Sequence, residues 1–146
     1  IPGTLSNFQE VELYSAANDL VYKGDFNINR LGLGSFNRSL IHIFKQQYNI
    51  DLQMNIVGKP NKLIFDFARD TLFESTNTCE NTELYMIGDN PEVDIKGGKE
   101  SGFKTCLVKT GVWNGLNNHY QYPADHFVNC VKEGVNVILK ENGYNI

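Results

Sequence analysis

Met86-Ile87-Gly88-Asp89-Asn90-Pro91-Glu92-Val93-Asp94-Ile95 runs an apolar segment into a glycine, an aspartate, a helix start and a second aspartate five residues after the first. The run Leu84-Tyr85-Met86-Ile87 has the length and composition of a strand buried in a parallel sheet. Asp89 then stands at a strand end and Asp94 in the first turn of the next helix, so both carboxylates can face one crevice. Mg²⁺ takes one or two carboxylates and completes its octahedral shell with water and substrate phosphate, which this spacing suits. The same residues also describe a well-made helix N-terminus, with Asn90 as cap, Pro91 at the first helical position and acids in the first turn. Spacing alone leaves both readings open.

Working outward, Asn55-Ile56-Val57 leads into Gly58-Lys59-Pro60, where the proline ends a strand and can open the next helix at its first turn. Ile64, Phe67, Ala68 and Leu72 are spaced for that helix. A lysine at such a turn can offset the charge of a nucleophilic carboxylate or a transferring phosphoryl group. Gly-Lys-Pro is equally a common turn bearing a solvated lysine. Phe36, Leu40, Ile41, Phe44 and Tyr48 predict a helix over 36–48, capped by Ser35. Asn77 to Asn81 reads as a turn. Beyond the aspartates follow a helix near 92–101, a strand at 105–108, a polar loop, a strand at 125–128 and a helix over 131–140. Residues 1–35 read as loops with one or two short strands. Strand and helix in alternation predict an α/β fold with a doubly wound parallel sheet. Ligands in such sheets bind outside the carboxyl ends of the strands, where Gly88-Asp89 and Thr110-Gly111 fall.

Composition narrows the classes. The 146 residues suffice for one core, and a net charge of −4 with 21% charged residues argues against a nucleic-acid surface. No segment has the apolar length of a membrane span, and no signal peptide is evident. Cys79, Cys106 and Cys130 are odd in number and lack a CxxC pair, so reduced thiols in an intracellular protein are expected.

Lys59 and the Asp89–Asp94 loop, in this order with a helix and a strand between, resemble the haloacid dehalogenase superfamily of aspartate-nucleophile phosphatases. The likeness is to its subclass with a large α/β cap, which includes the p-nitrophenylphosphatases and the mitochondrial branch near the cat eye syndrome critical region 5 protein. Gly97-Gly98, Ser101-Gly102-Phe103, Thr105, Leu107-Val108 and Thr110-Gly111-Val112 extend it downstream, and Asp19-Leu20-Val21 with Arg30 to Phe36 extend it upstream. The resemblance implies a Rossmannoid core. Residues 1–30 would return from the cap and residues 31–146 would form the C-terminal part of the core. It also implies that Lys59 holds the nucleophile and phosphate, that Asp89 binds Mg²⁺, and that Asp94 supports the metal site or binds through water. Gly58, Gly88 and Asn90 would lie beside the phosphate of a phosphorylated small molecule.

The family's nucleophile lies on an N-terminal strand ending Asp-x-Asp-Gly, and no such motif occurs here. A preceding segment is therefore expected to supply it, and the chain alone is expected to be inactive. An inactive relative serving as an interaction module is the alternative. Leu63-Ile64-Phe65-Asp66 imitates the nucleophile motif, but Ala68 replaces its second aspartate and the helical spacing argues for a helix. Gly32-Leu33-Gly34-Ser35-Phe36-Asn37 begins like a dinucleotide loop, lacks the third glycine, and is read as a flexible loop. His42, His119 and His126 are read as structural or surface residues, and Trp113, Tyr120 and Tyr122 as loop aromatics packed on the core.

Overall fold

The computed structural model describes residues 9–76 and 82–145. Its strands are β1 (Leu13–Ser15), β2 (Val21–Tyr22), β3 (Arg30–Leu31), β4 (Met54–Ile56), β5 (Tyr85–Gly88), β6 (Lys104–Val108) and β7 (His126–Val128). Its helices are α1 (Leu33–Tyr48), α2 (Lys62–Thr76), a π-helical turn at Pro91–Ile95 that runs into α3 (Lys96–Glu100), and α4 (Val131–Glu141). The strands form a parallel sheet in the order β5-β6-β7, a parallel pair β1-β4 and an antiparallel pair β2-β3. The parallel α/β expectation holds.

β6 is the central strand because its sequence permits burial on both faces. Thr105, Cys106 and Leu107 are fully buried and Val108 nearly so, as a continuous apolar run in a parallel sheet requires. Ile95, Leu107 and Ala124 form a core cluster against which Trp113 and Phe127 pack. Thr105, the polar member of the run, is satisfied by Asp125. Its main-chain N–H and its hydroxyl both donate to Asp125 Oδ2 at 2.8 Å. These bonds tie the end of the long β6–β7 connection to the start of β6. They also fix the ionisation of Asp125: burial opposes its charge, but the Thr105 bonds and the Lys99 ammonium outweigh it and lower the pKa.

Three local expectations are corrected. Ser35 does not cap α1, which begins two residues earlier with extended Gly32 at its N-cap. The Ser35 hydroxyl instead donates to Leu20 O at 2.6 Å. Pro60 does not open α2. Asn61 precedes Lys62 and its Oδ1 accepts from Leu63 N at 2.9 Å, the geometry of an N-cap. The segment from Gly32 to Asn37 is not a flexible loop. Gly32 N donates to Leu20 O at 2.8 Å, Gly34 N donates to Asp19 O at 2.9 Å, and buried Asn37 donates to Ser15 Oγ at 2.7 Å. The start of α1 is thus a clamp on the chain that leaves β1.

Most other expectations hold. The 63–71 stretch is helical, with Asp66 paired to Lys62 and Arg69 on its surface. Trp113 packs on the core as expected, but Tyr120 corrects its expectation: its ring stacks on His119 at 5.3 Å and faces solvent. His119 stacks against Tyr122, and His126 meets Glu141 at 3.0 Å. Cys106 and Cys130 are free. Cys79 and the Asn77–Asn81 turn lie outside the described residues. Among the described residues no helix is long and apolar enough to cross a membrane.

Asp125→Ala should lower the unfolding free energy by about 1–3 kcal/mol, because it leaves the buried Thr105 N–H unpaired. Since the Asp125 pKa is lowered by folding, its contribution is present above the ordinary aspartate range and is lost as pH falls through the lowered value. Urea titrations of both proteins should show a large difference at neutral pH that shrinks in acid.

Candidate functional site

The carboxyl ends of two parallel sheets meet at one ion pair. β4 ends at Ile56 and delivers Lys59 through the turn that follows; β5 ends at Gly88 and delivers Asp89. Lys59 Nζ donates to Asp94 Oδ1 at 2.5 Å. The Asp94 side chain is 3% exposed, against 40% for Lys59, so the pair joins a buried carboxylate to an ammonium that still reaches solvent. The second Asp94 oxygen accepts from Asp89 N at 3.1 Å and from Asn90 N at 3.0 Å. Asp94 therefore holds both the lysine and the main chain of the loop in front of it, and neither oxygen is left without a donor.

The local sequence makes this closure possible. Asn90 is an extended N-cap whose Oδ1 accepts from Glu92 N at 3.2 Å, and Pro91 opens the turn. The π-helical turn at Pro91–Ile95 carries Asp94 N onto Asn90 O at 2.8 Å and folds its side chain back over the loop. A Cβ on Gly88 would lie 2.3 Å from Asp94 Oδ2, so only glycine leaves room for that carboxylate. Gly58 is equally constrained, but by packing: its Cβ would lie 1.7 Å from Ala16 O.

Asp89 is half-buried and differently engaged. Its Oδ2 accepts from Val112 N at 2.6 Å and its carbonyl accepts from Trp113 N at 2.9 Å. Its Oδ1 accepts from no donor among the described residues, and the side chain lines a cavity of about 330 Å³. One anchored and one free carboxylate oxygen beside open space fits a hard cation that takes a single carboxylate here and other oxygens from water and phosphate. Among the described residues no three His, Cys, Asp or Glu side chains stand together as a metal cluster.

Lys59 is tuned by its neighbours. Burial of the ammonium pushes its pKa down, but the hydrogen bond and charge of Asp94, with the charges of Asp19 and Asp89, outweigh burial and leave the value raised. A raised lysine contributes stability in full below the ordinary lysine range and loses it as pH rises through the higher value. Lys59 is thus a fixed cation across neutral pH.

Of the six residues singled out in the sequence, Lys59, Asp89, Asn90, Asp94 and Gly88 are drawn together here, while Gly58 serves the backbone behind Lys59. Sequence reasoning missed Asp19, which it placed only in the chain returning from a cap. Asn90 Nδ2 donates to Asp19 Oδ1 at 3.3 Å, which links the segment after β1 to the loop after β5. A carboxylate soon after a short strand was the available signal, and it is weak without the α1 clamp that holds Asp19 in place.

A family model described as HAD-hydrolase-like matches residues 56–134. The chain is 35% identical over 135 residues to a cardiolipin synthase/mitochondrial hydrolase fusion protein of Schizosaccharomyces pombe, covering 90% of this chain and 22% of that protein. It is 28% identical to the phospholysine phosphohistidine inorganic pyrophosphate phosphatase of Xenopus laevis, covering 97% of this chain and 48% of that protein. The crystal structure of a hypothetical protein from Pyrococcus horikoshii superposes with a TM-score of 0.63 at 25% identity, covering 87% of this chain and 44% of the other. The chain thus spans about half the length, or less, of the curated relatives it matches.

Gly88→Ala should be destabilising by about 1–3 kcal/mol through overpacking against Asp94. Amide exchange should show Asp89 and Asn90 losing protection before the β6 core does.

Proposed function

Because the chain belongs to the HAD-like hydrolases, we propose that it supplies the lysine and cation-binding half of a Mg²⁺-dependent phosphatase site whose aspartate nucleophile lies on a preceding segment. The observation that carries this reading is the Lys59–Asp94 pair beside Asp89, where the carboxyl ends of β4 and β5 converge. The first requirement of phosphoryl transfer is positive charge where the phosphoryl oxygens gather negative charge, fixed in place before the reaction.

Lys59 would meet it directly. Its ammonium is permanently charged, half-buried and aimed by Asp94, so it can donate to a phosphate oxygen without first reorganising. Asp89 would hold Mg²⁺ through the oxygen that Val112 leaves free. When bound, the ion would neutralise phosphoryl oxygens and orient them for in-line attack. Asp94 would support the metal loop through the amides of Asp89 and Asn90 rather than by direct ligation, since its oxygens are already engaged. Gly88 and Asn90 would keep the loop backbone close to the phosphate, and Asp19 would brace Asn90. The substrate would be a phosphorylated small molecule.

Among the described residues the two parallel sheets share no strand hydrogen bonds, and a strand from the preceding segment would pair with the edge of β5 and bring the nucleophile between Lys59 and Asp89. Residues 1–30 would be the return from a cap domain, with β1 already paired to β4 inside the core, and residues 31–146 would complete the core. Relatives named as mitochondrial hydrolases favour a mitochondrial location.

In the full-length protein, Asp89→Asn and Lys59→Met should each reduce Mg²⁺-dependent hydrolysis of p-nitrophenyl phosphate by at least about 10²-fold, the scale of removing one preorganised charge-stabilising group. Unchanged turnover in either variant would sink the assignment. Mg²⁺ binding with no turnover in the unaltered protein would favour the inactive interaction module.

A further inference from the structure

Two cations stand beside the Asp89 cavity with no carboxylate partner among the described residues. Lys23 lies in the connection between β2 and β3, where its ammonium donates to Phe26 O at 3.0 Å. Lys109 directly follows β6, with its Nζ 4.7 Å from the centre of the Phe127 ring. Each ammonium makes fewer hydrogen bonds than its three N–H groups allow.

Their setting is a trough of two adjoining cavities that share three lining residues. The cavity that contains Asp89 also includes Lys23, Thr110 and Gly111. A second cavity of about 410 Å³ includes the same three residues and ends at Lys109, Asn27, Asn29 and Asn114. Among the described residues no acidic side chain lines this second cavity, although the chain as a whole carries a net charge of −4. The second cavity is thus lined by two lysines and three asparagines, side chains able to donate, in a protein of net negative charge. A separate apolar cavity of about 230 Å³ beside Trp113 and Val93 does not include Asp89. The polar trough is the one that includes the candidate cation ligand.

Resting on the phosphatase reading above, we propose that the preferred substrate carries a second anionic group on its leaving group: the phosphate would meet Lys59 and a Mg²⁺ held by Asp89, and a carboxylate or second phosphate is held by Lys23 and Lys109. Thr110 and Gly111 form the floor between the two ends. Specificity then comes from charge at both ends of a short molecule rather than from an apolar body.

The test compares two inert ligands that differ by one carboxylate, propylphosphonate and 3-phosphonopropionate, by calorimetric titration of the full-length protein in the presence of Mg²⁺. The carboxylated ligand should bind about 10-fold more tightly, the effect of one charge-assisted hydrogen bond at a partly exposed site. Lys23→Gln and Lys109→Gln should each cut that preference several-fold while leaving the affinity for propylphosphonate unchanged, and Lys23→Arg should retain it. Equal affinities in the unaltered protein, or a preference that survives both glutamine substitutions, overturns this proposal and leaves the phosphatase reading standing. Failure of both ligands and of inorganic phosphate to bind removes the phosphatase reading, and this proposal with it.

Discussion

The Asp94 carboxylate is the constraint on which the site depends. It is almost fully buried, and a buried carboxylate is tolerable only when paired and hydrogen-bonded. Lys59 supplies the charge, and the amides of Asp89 and Asn90 supply the remaining donors. Removing any of these partners would strand a charge in a low-dielectric interior, so the loop after β5 and the turn after β4 are held to one another. Gly88 leaves the space this requires, and the π-helical turn brings the carboxylate back over its own loop.

From that constraint follows a division of labour between two aspartates that look alike in the sequence. Asp94 has its oxygens taken by the protein and acts on structure. Asp89 has one oxygen anchored by Val112 and one left over beside open space. The difference arises from depth: Asp94 lies inside the first turn of a helix packed on the sheet, whereas Asp89 lies on the rim where the strand ends. The strand-end location that makes parallel α/β sheets good ligand sites thus separates the member that can meet a ligand from the one that holds it in place.

The start of α1 extends this organisation across the molecule. Gly32, Gly34, Ser35 and Asn37 grip Ser15, Asp19 and Leu20 through main-chain and side-chain bonds, and Asp19 then reaches Asn90. Two sheets without strand pairing between them are joined at their carboxyl ends by these polar side chains, and behind them by the buried Phe65 ring of α2, which packs on Gly97 and Phe103. The polar part of this junction is directional and easily broken by a single substitution, unlike the apolar packing of β6 against Ile95 and Ala124.

Periodicity and composition alone determined the parallel α/β character, the positions of β5, β6, β7 and α4 to within a residue or two, and the candidacy of Lys59, Asp89 and Asp94. These features were legible because burial in a parallel sheet demands continuous apolar runs, and because a Gly-Asp strand end followed by Asn-Pro leaves few local conformations open. Tertiary structure decided what no local pattern encodes: that Asp94 meets Lys59, that Gly58 answers to Ala16, that the Gly32–Asn37 stretch is a clamp, and that Asp19 reaches Asn90. Each of these depends on a contact between residues distant in sequence, 35 apart for Lys59 and Asp94 and 71 apart for Asp19 and Asn90. Spacing within one element specifies which face a side chain occupies; only the packing of separate elements specifies what that face meets.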